Sequence, residues 1–469
     1  MVGGGVSGLA AAWRLSRLGA RVTVLEGSDR FGGKLWCGPV GDLEVDLGAE
    51  SFLARRPEAL GLVHELGLQA DLVHPVTAAA TVYSRGRLHP LPAGTVMGVP
   101  TSLAGLAGLL TADEVARVAA EPGRPAPPVE QDLDVGSWVA GRFGPAVLDR
   151  LVEPLLGGVY AGHARRLSLA ATVPQLWQLA RLGGSVLGGP ALGRLTVEPP
   201  GPVESPATGP VFAGLRGGVG RLTVELAAAL RRAGVGLRSG VTVRGLDRTA
   251  TGWQLTCGSA GSTGPAETVE PADAVVLAVP PSAAARLLAS GCPAAAAELA
   301  AIRTASVAVV SVLLPRSSLA GLTGSGLLVP PVEGRSVKAV TYSGAKWAWT
   351  DRLHPDLVPV RMSLGRDGEV AVLQRDDDEL TRLALADLVA LLDRPVQPVA
   401  SRVVRWGGAL PQYDVGHLDR VSRLRAAVSR LPGLAICGAA LDGVGIPACI
   451  GAADRAAREV LAGRETLEG

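Results

Sequence analysis

The period of apolar and polar positions changes several times along the chain, and the changes mark its segments. Residues 2–8, VGGGVSG, form a glycine turn. The stretch AAWRLSRLG then carries apolar residues at helical spacing up to Gly19, and RVTVLE follows as a short β run ending in Glu26. Together they read as a βαβ unit in which only Met1 and Val2 precede the glycine turn. A parallel strand of about five to six residues ordinarily stands there. The pattern therefore predicts a short apolar segment upstream, with Met1 a misassigned start.

A second αβ signature runs from Gly217 to Val243, with an apolar helix, a stop at Gly234 and a short strand; ADAVVLAVPP, residues 272–281, reads as a buried strand ending in a proline turn. Residues of about 100–200 carry helical patterns broken by Pro and Gly, with EPGRPAPPVEQ at 121–131 as an exposed loop. Residues of about 300–375 read instead as strands: SVAVVSVLL, SGLLVP, SVKAVTYS and VPVRMSLG. GSAGSTGPAE is a loop. The final stretch returns to αβ, with LAIC as a strand and IPACIGAADRAAREVLAG as a helix.

These segments predict an α/β protein whose cofactor domain is discontinuous. Its pieces are 1–75, 205–285 and 400–469; 76–100 and 286–399 form a β-rich substrate domain, and 101–204 form a helical insert.

Composition narrows the partners. Forty-five basic against 43 acidic residues leave a net charge of +2, too little to attract nucleic acid, so a small molecule is the expected ligand. Only three basic residues are lysines (Lys34, Lys338 and Lys346), which fits codon bias and lowers the weight of any arginine count. Five scattered cysteines without CxxC spacing fit a reduced cytoplasmic protein with no disulfide framework and no metal site. The longest uncharged run, Leu88 to Ala112, is interrupted by Pro90, Pro92 and Pro100 and makes a poor spanning helix.

The candidate chemistry begins with Gly3, Gly5 and Gly8 at GxGxxG spacing and with Glu26, 18 residues after Gly8. Glycines there permit a tight turn and close approach of a diphosphate to a helix N-terminus, and a carboxylate at the next strand end accepts from ribose hydroxyls. Glu26 would repel a 2′-phosphate. SDRFGGKL, residues 28–35, places Gly33 and Lys34 where a flavin oxidase sets glycines and a basic side chain against FAD; an ordinary Gly-Gly turn with a solvated lysine explains it equally well. In DLGAESFLARRPEAL, residues 46–60, Gly48 and Ser51 could bring backbone amides to a ring system, although a capping turn before Pro57 with two surface arginines is the simpler account. The stretch 434–457 is more telling. Its strand stops at Gly438, and a glycine-bearing loop feeds a helix starting near Ile446 and Pro447, whose dipole would stabilise negative charge on a reduced flavin.

Taken with GGGVSGL, ESFLARRPEAL, GRLHPLPAG, VEPLLGGVYAG, FAGLRGGVGRL, LAVPP, RWGGALPQYDVGHLDRV and CGAALDGVGIPACI, the chain resembles the protoporphyrinogen oxidase family, in its soluble bacterial branch of coproporphyrinogen III oxidases. The match runs in order from residue 3 to about 460. It implies a Rossmann-like FAD domain, a substrate domain and a helical domain able to touch a membrane surface. It also implies FAD contacts at Gly3, Gly5, Ser7, Gly8, Glu26, Gly33, Lys34, Gly48, Ala49, Glu50, Ser51, Val243, Trp406, Val444, Gly445 and Ile446. The implied reaction is the six-electron oxidation of coproporphyrinogen III by oxygen, in three steps that each release hydrogen peroxide, within haem synthesis. A ferrochelatase-type partner would then receive the product.

Carboxylated side chains on such a substrate call for cations, and Lys338 with Tyr342 by period-two alternation, Arg56 and Arg361 are the candidates; a solvated strand face is the competing account. No catalytic residue stands out. The six histidines are isolated, and a pyrrole proton made acidic by oxidation needs no strong base. Three alternatives stay open at this stage: a protoporphyrinogen IX oxidase, an amine or carotenoid oxidase, and a non-catalytic relic with weak flavin binding. An amine oxidase is disfavoured by an aromatic content of 3%.

Overall fold

A computed structural model describes residues 1–187, 210–259 and 268–468, with backbone alone from residue 463. The loop expected at 258–267 and the domain boundary expected at 204/205 fall largely outside the described residues.

The parallel β runs assemble into one sheet from five distant pieces of chain. Gly236–Arg238, Thr23–Leu25, Val2, Val275–Leu277 and Leu434–Ile436 lie side by side in that order, all parallel. Val2 holds the central slot: its N–H donates to Val276 O at 2.9 Å, its carbonyl accepts from Ala278 at 2.8 Å, and Gly3 and Met1 pair with Leu25 at 2.8 and 2.9 Å. The place expected for a longer strand is thus filled in this chain by Met1 to Gly3. Side chains alternate as a sheet buried on both faces requires. Val24 and Ala435 pack beneath the helices Val6–Arg17, Arg221–Arg232 and Ile446–Glu468, whereas Val2, Leu25 and Leu277 pack on the other side with Leu246, Leu287 and Leu424.

The strand patterns between 76 and 411 form a second, seven-stranded sheet. Its order is Ala400–Pro411, Thr304–Pro315, Leu357–Leu364, Val337–Tyr342, Gly326–Leu328, Thr81–Ser84, Arg87–Pro90. One face is covered by the helix Asp377–Leu392, with Leu380, Ala384 and Leu388 against Val310, Val340 and Val360. Asp376 caps that helix by accepting from Glu379 N at 2.7 Å. Ala400–Pro411 departs from the expected boundary at residue 400, because it pairs along Thr304–Pro315 rather than joining the parallel sheet. The reason is the buried backbone of Thr304–Pro315, which must find hydrogen-bond partners on both edges.

The third layer is helical: Ala112–Ala119, Val135–Phe143, Glu153–Tyr160 and Pro174–Leu182 enclose Leu106, Trp138, Phe143, Leu151 and Leu176. Thr111 and Glu114 form a reciprocal capping box at its first helix. Glu121 opens the loop expected to be exposed, yet it is buried. It accepts from Val186 and Leu187 N–H groups at 3.1 and 3.2 Å and pairs with Arg142 at 2.8 Å.

Candidate cofactor and substrate site

The three glycines of the first turn do different work. A Cβ on Gly8 would stand 1.9 Å from Gly3 O, and one on Gly3, at φ +102°, would stand 2.5 Å from Ala278 O. Both allow helix and sheet to close on each other. Gly5 is different: it has φ −71° and ψ 178°, ordinary values for any residue, and the nearest atom to its Cβ would be Gly33 Cα at 3.9 Å. The protein itself does not require glycine there. Gly5 is also the N-cap of the helix Val6–Arg17 and offers it no side-chain cap, so the N–H groups around Ser7 face a gap.

Around this gap the other sequence-marked segments converge. Gly32 N donates to Gly4 O at 2.8 Å and Gly32 bridges to Gly5, which lays FGGKL against the glycine turn. Glu26 sits at the end of its strand, its carboxylate accepting from Gly4 N at 2.6 Å and Ser28 N at 2.8 Å. The Glu26 carbonyl accepts from Val241 N at 2.9 Å, which brings the strand Val241–Arg248, and with it Val243, alongside. In the other direction Ala49 N donates to Lys34 O at 3.0 Å, and a Cβ on Gly48 would lie 1.9 Å from that oxygen and 3.3 Å from the Trp406 ring. Trp406 is fixed by its indole N–H on Leu47 O at 3.1 Å.

Lys34 donates to Ala409 O at 2.6 Å. Protein crowds its ammonium and burial lowers its pKa, with the nearby Cys449 thiol acting the other way, yet the side chain is exposed. Such a residue walls a cleft rather than filling a core. Cys449 belongs to the helix Ile446–Glu468, entered through Val444 and Gly445, and lies within reach of Ser7. The first turns of two helices therefore meet at the same cleft.

Next along the cleft is a charged cluster that joins Glu50 and Arg361, which the sequence marked for different roles, to Lys346, which it did not mark. Glu50 pairs with Lys346 at 2.7 Å and with Arg361 at 2.5 Å, and accepts from Trp347 Nε1 at 3.2 Å. A second Arg361 nitrogen donates to Gly48 O at 2.5 Å. Burial alone would raise the Glu50 pKa, but the two cations overcome it and hold it at about 2. Gly48, Glu50, Lys346 and Arg361, with Thr341, Ser363, Val309, Ala339 and Met362, line a cavity of about 200 Å³. The only available signal was the rarity of lysine. Nothing in the sequence joins Lys346 to Glu50.

The four candidate substrate anchors are not brought together. Arg361 lines the cavity but is engaged by Glu50 and Gly48. Arg56 precedes the helix Pro57–Glu65 and pairs with Glu58 at 2.5 Å. Lys338 and Tyr342 alternate onto one face with Val340, but that face is buried, and it is Ala339 and Thr341 of the opposite face that line the cavity; a bulge before Ala339 sets Val337 apart from this alternation. Tyr342 packs in the core beneath Asp377–Leu392, where burial raises its pKa. Lys338 is 5% exposed and makes no side-chain hydrogen bond or ion pair among the described residues; burial, assisted by Arg366 and opposed by Glu369, lowers its pKa to about 7. The VEPLLGGVYAG stretch instead supplies a wall: Gly158 and Val159 are exposed, and a Cβ on Gly158 would lie 3.8 Å from Leu328 of the seven-stranded sheet.

An open glycine at an uncapped helix start, a strand-end carboxylate and a second helix terminus beside a polar cavity define a dinucleotide-binding oxidoreductase with a separate substrate sheet. The sequence pattern of flavin containing amine oxidoreductases matches residues 6–461, and the chain belongs to that family. Its cofactor is FAD. The chain is 41% identical over 460 residues to the coproporphyrinogen III oxidase of Mycobacterium leprae, covering 97% of this chain and 96% of that one. It is 31% identical over 467 residues to the Bacillus subtilis protein of the same name, covering 96% and 95%. The protoporphyrinogen oxidase of Macaca fascicularis is 30% identical over 503 residues, covering 98% of each. Among solved structures, one from Exiguobacterium sp. 255-15 assigned as a protoporphyrinogen oxidase superposes with a TM-score of 0.84 at 30% identity, covering 99% and 98%. Putrescine oxidase shares the fold, with a TM-score of 0.68 at 17% identity and 98% of each chain covered. No described helix is long and apolar enough to cross a membrane.

Proposed function

We propose that this chain oxidises coproporphyrinogen III to coproporphyrin III, consuming three molecules of oxygen and releasing three of hydrogen peroxide. The observation that carries this reading is the 41% identity over nearly the whole of both chains, coupled to the cavity that Glu50, Lys346 and Arg361 line on the seven-stranded sheet.

In this reading the diphosphate of FAD rests on Gly5 and the helix start at Ser7, with Gly3 and Gly8 closing the turn, and the adenosine ribose meets Glu26 beside Val243. FAD is a linear molecule, so its ring end lies on the opposite side, toward Gly33, Lys34, Gly48, Ala49, Glu50, Ser51, Trp406 and the Val444, Gly445, Ile446 turn. Bound FAD supplies the hydride acceptor. The protein supplies shape and charge. Among the described residues Glu50 is the sole carboxylate lining the adjoining cavity, and at a pKa of about 2 it is too weak a base to take a pyrrole proton near neutrality. That supports a reaction in which the substrate's own acidity, and not a side chain, disposes of the proton.

We take the parallel-sheet segments as the cofactor domain, the seven-stranded sheet as the substrate domain and the helices between as the insert. The exposed Leu103 and Leu182 of that insert support contact with a membrane surface. A ferrochelatase-type partner would take the product.

The test is anaerobic reduction of the bound flavin by coproporphyrinogen III and by protoporphyrinogen IX in turn, followed by porphyrin fluorescence and peroxide release in air. We expect faster reduction by coproporphyrinogen III. Equal or reversed rates would defeat that preference and favour the protoporphyrinogen reading suggested by the Macaca relative.

A further inference from the structure

A protein that buries two cations against one carboxylate leaves charge unbalanced in a low-dielectric place, where it acts over longer range than in water. The Glu50 cluster does this. Its lysine and arginine are 15% and 12% exposed at the side chain and Glu50 is 10% exposed, so solvent screens none of them well. Asp46, also near Arg361, is buried, which raises its pKa, and it accepts from the Val219 and Gly220 N–H groups at 2.9 and 3.0 Å. Arg361 Nε is buried with no hydrogen-bond partner among the described residues. Through its Nη2 the same guanidinium grips the carbonyl of Gly48, and Gly48 packs directly on Lys34 of the glycine cradle.

We propose that this cluster tunes the reduction potential of the bound flavin. Glu50 is a positioning residue that holds Arg361 on the Gly48 carbonyl and offsets part of the cationic charge, and the charge that remains stabilises the electron-rich reduced ring. The inference rests on the FAD placement given above, with the ring end near Gly48, and on no assumption about the substrate. Two electrons added to a ring beside a net positive cluster are held more tightly than beside a neutral one.

Charge and structure can be separated, because two variants break the same 2.7 Å ion pair while changing the charge in opposite directions. In the FAD-loaded protein, the midpoint potential is measured by reductive titration against reference dyes. Glu50→Gln makes the cluster more positive and should shift the potential upward. Lys346→Met makes it less positive and should shift it downward, while Lys346→Arg keeps the wild-type value. Loosened packing alone would move both disrupting variants the same way, so shifts of like sign, or no shift in either, overturn the proposal. If Glu50→Gln does not fold, Lys346→Met against Lys346→Arg decides it: a fall in the first alone supports the cluster, and equal potentials refute it. Porphyrinogen turnover is not part of the readout, so failure of the substrate reading leaves the result intact, whereas a wild-type protein that takes up no FAD overturns both the cofactor placement and this inference.

Discussion

Replacing Gly5 by alanine tests the cofactor site with little disturbance to the protein. The backbone at Gly5 already lies where alanine is comfortable, and the new methyl group would meet nothing nearer than Gly33 Cα at 3.9 Å. Gly→Ala at a compatible position stabilises the folded chain by about 0.4 to 1 kcal/mol through the unfolded state. Gly5 is also the helix N-cap, where alanine is poorer than glycine, so the two effects oppose each other and the apoprotein should melt close to wild type. The methyl group would, however, stand where a diphosphate comes within contact of the backbone, and forcing an extra methyl into a filled site costs about 1 to 3 kcal/mol, roughly 5- to 150-fold in affinity. Gly8→Ala supplies the contrast. There the Cβ would be 1.9 Å from Gly3 O, and the apoprotein itself should be destabilised. FAD titration by fluorescence quenching, with thermal unfolding of each apoprotein, measures both effects. Gly5→Ala binding FAD with wild-type affinity would show that the diphosphate does not lie on this turn.

Lys338 should depress stability in a pH-dependent way. The unfolded chain keeps its proton to about 10.5 and the folded one releases it near 7, so the cost of burying the charge is full below pH 7 and fades as the pH approaches 10.5. Lys338→Met should then gain roughly 3 to 5 kcal/mol in urea unfolding at pH 6.5 and little at pH 10.5; a gain independent of pH would mean that the lysine is not buried as a charge. Glu26→Arg should lose FAD by equilibrium dialysis, because it removes the carboxylate that holds Gly4 N at 2.6 Å and puts a cation where ribose hydroxyls need an acceptor. Wild-type flavin occupancy in that variant would place the nucleotide elsewhere.

The sequence by itself determined the parts whose chemistry is local. Gly3, Gly5, Gly8 and Glu26 are read from one contiguous βαβ stretch because turn, helix start and strand end follow one another within a few residues. The helix starting at Ile446 is legible for the same reason, since glycines and a proline punctuate it. Alternation and β-branched runs also marked the strands between 306 and 365. Tertiary structure alone decided how these pieces meet. Glu50 finds Lys346 and Arg361 across 296 and 311 residues, and no local rule encodes a pairing at that range. Counting by twos put Lys338 and Tyr342 on one face, and they share it with Val340, but only the packing shows that this face is buried while Ala339 and Thr341 of the other face line the cavity. Ala400–Pro411 went to the seven-stranded sheet because the buried edge of Thr304–Pro315 had hydrogen bonds to satisfy. Glu121, polar and in a proline-rich loop, became buried because the N–H groups of Val186 and Leu187 needed an acceptor. For Glu50, Ala400–Pro411 and Glu121 the deciding force was the demand of a buried polar group for a partner, and the partner lay too far along the chain for periodicity to point to it.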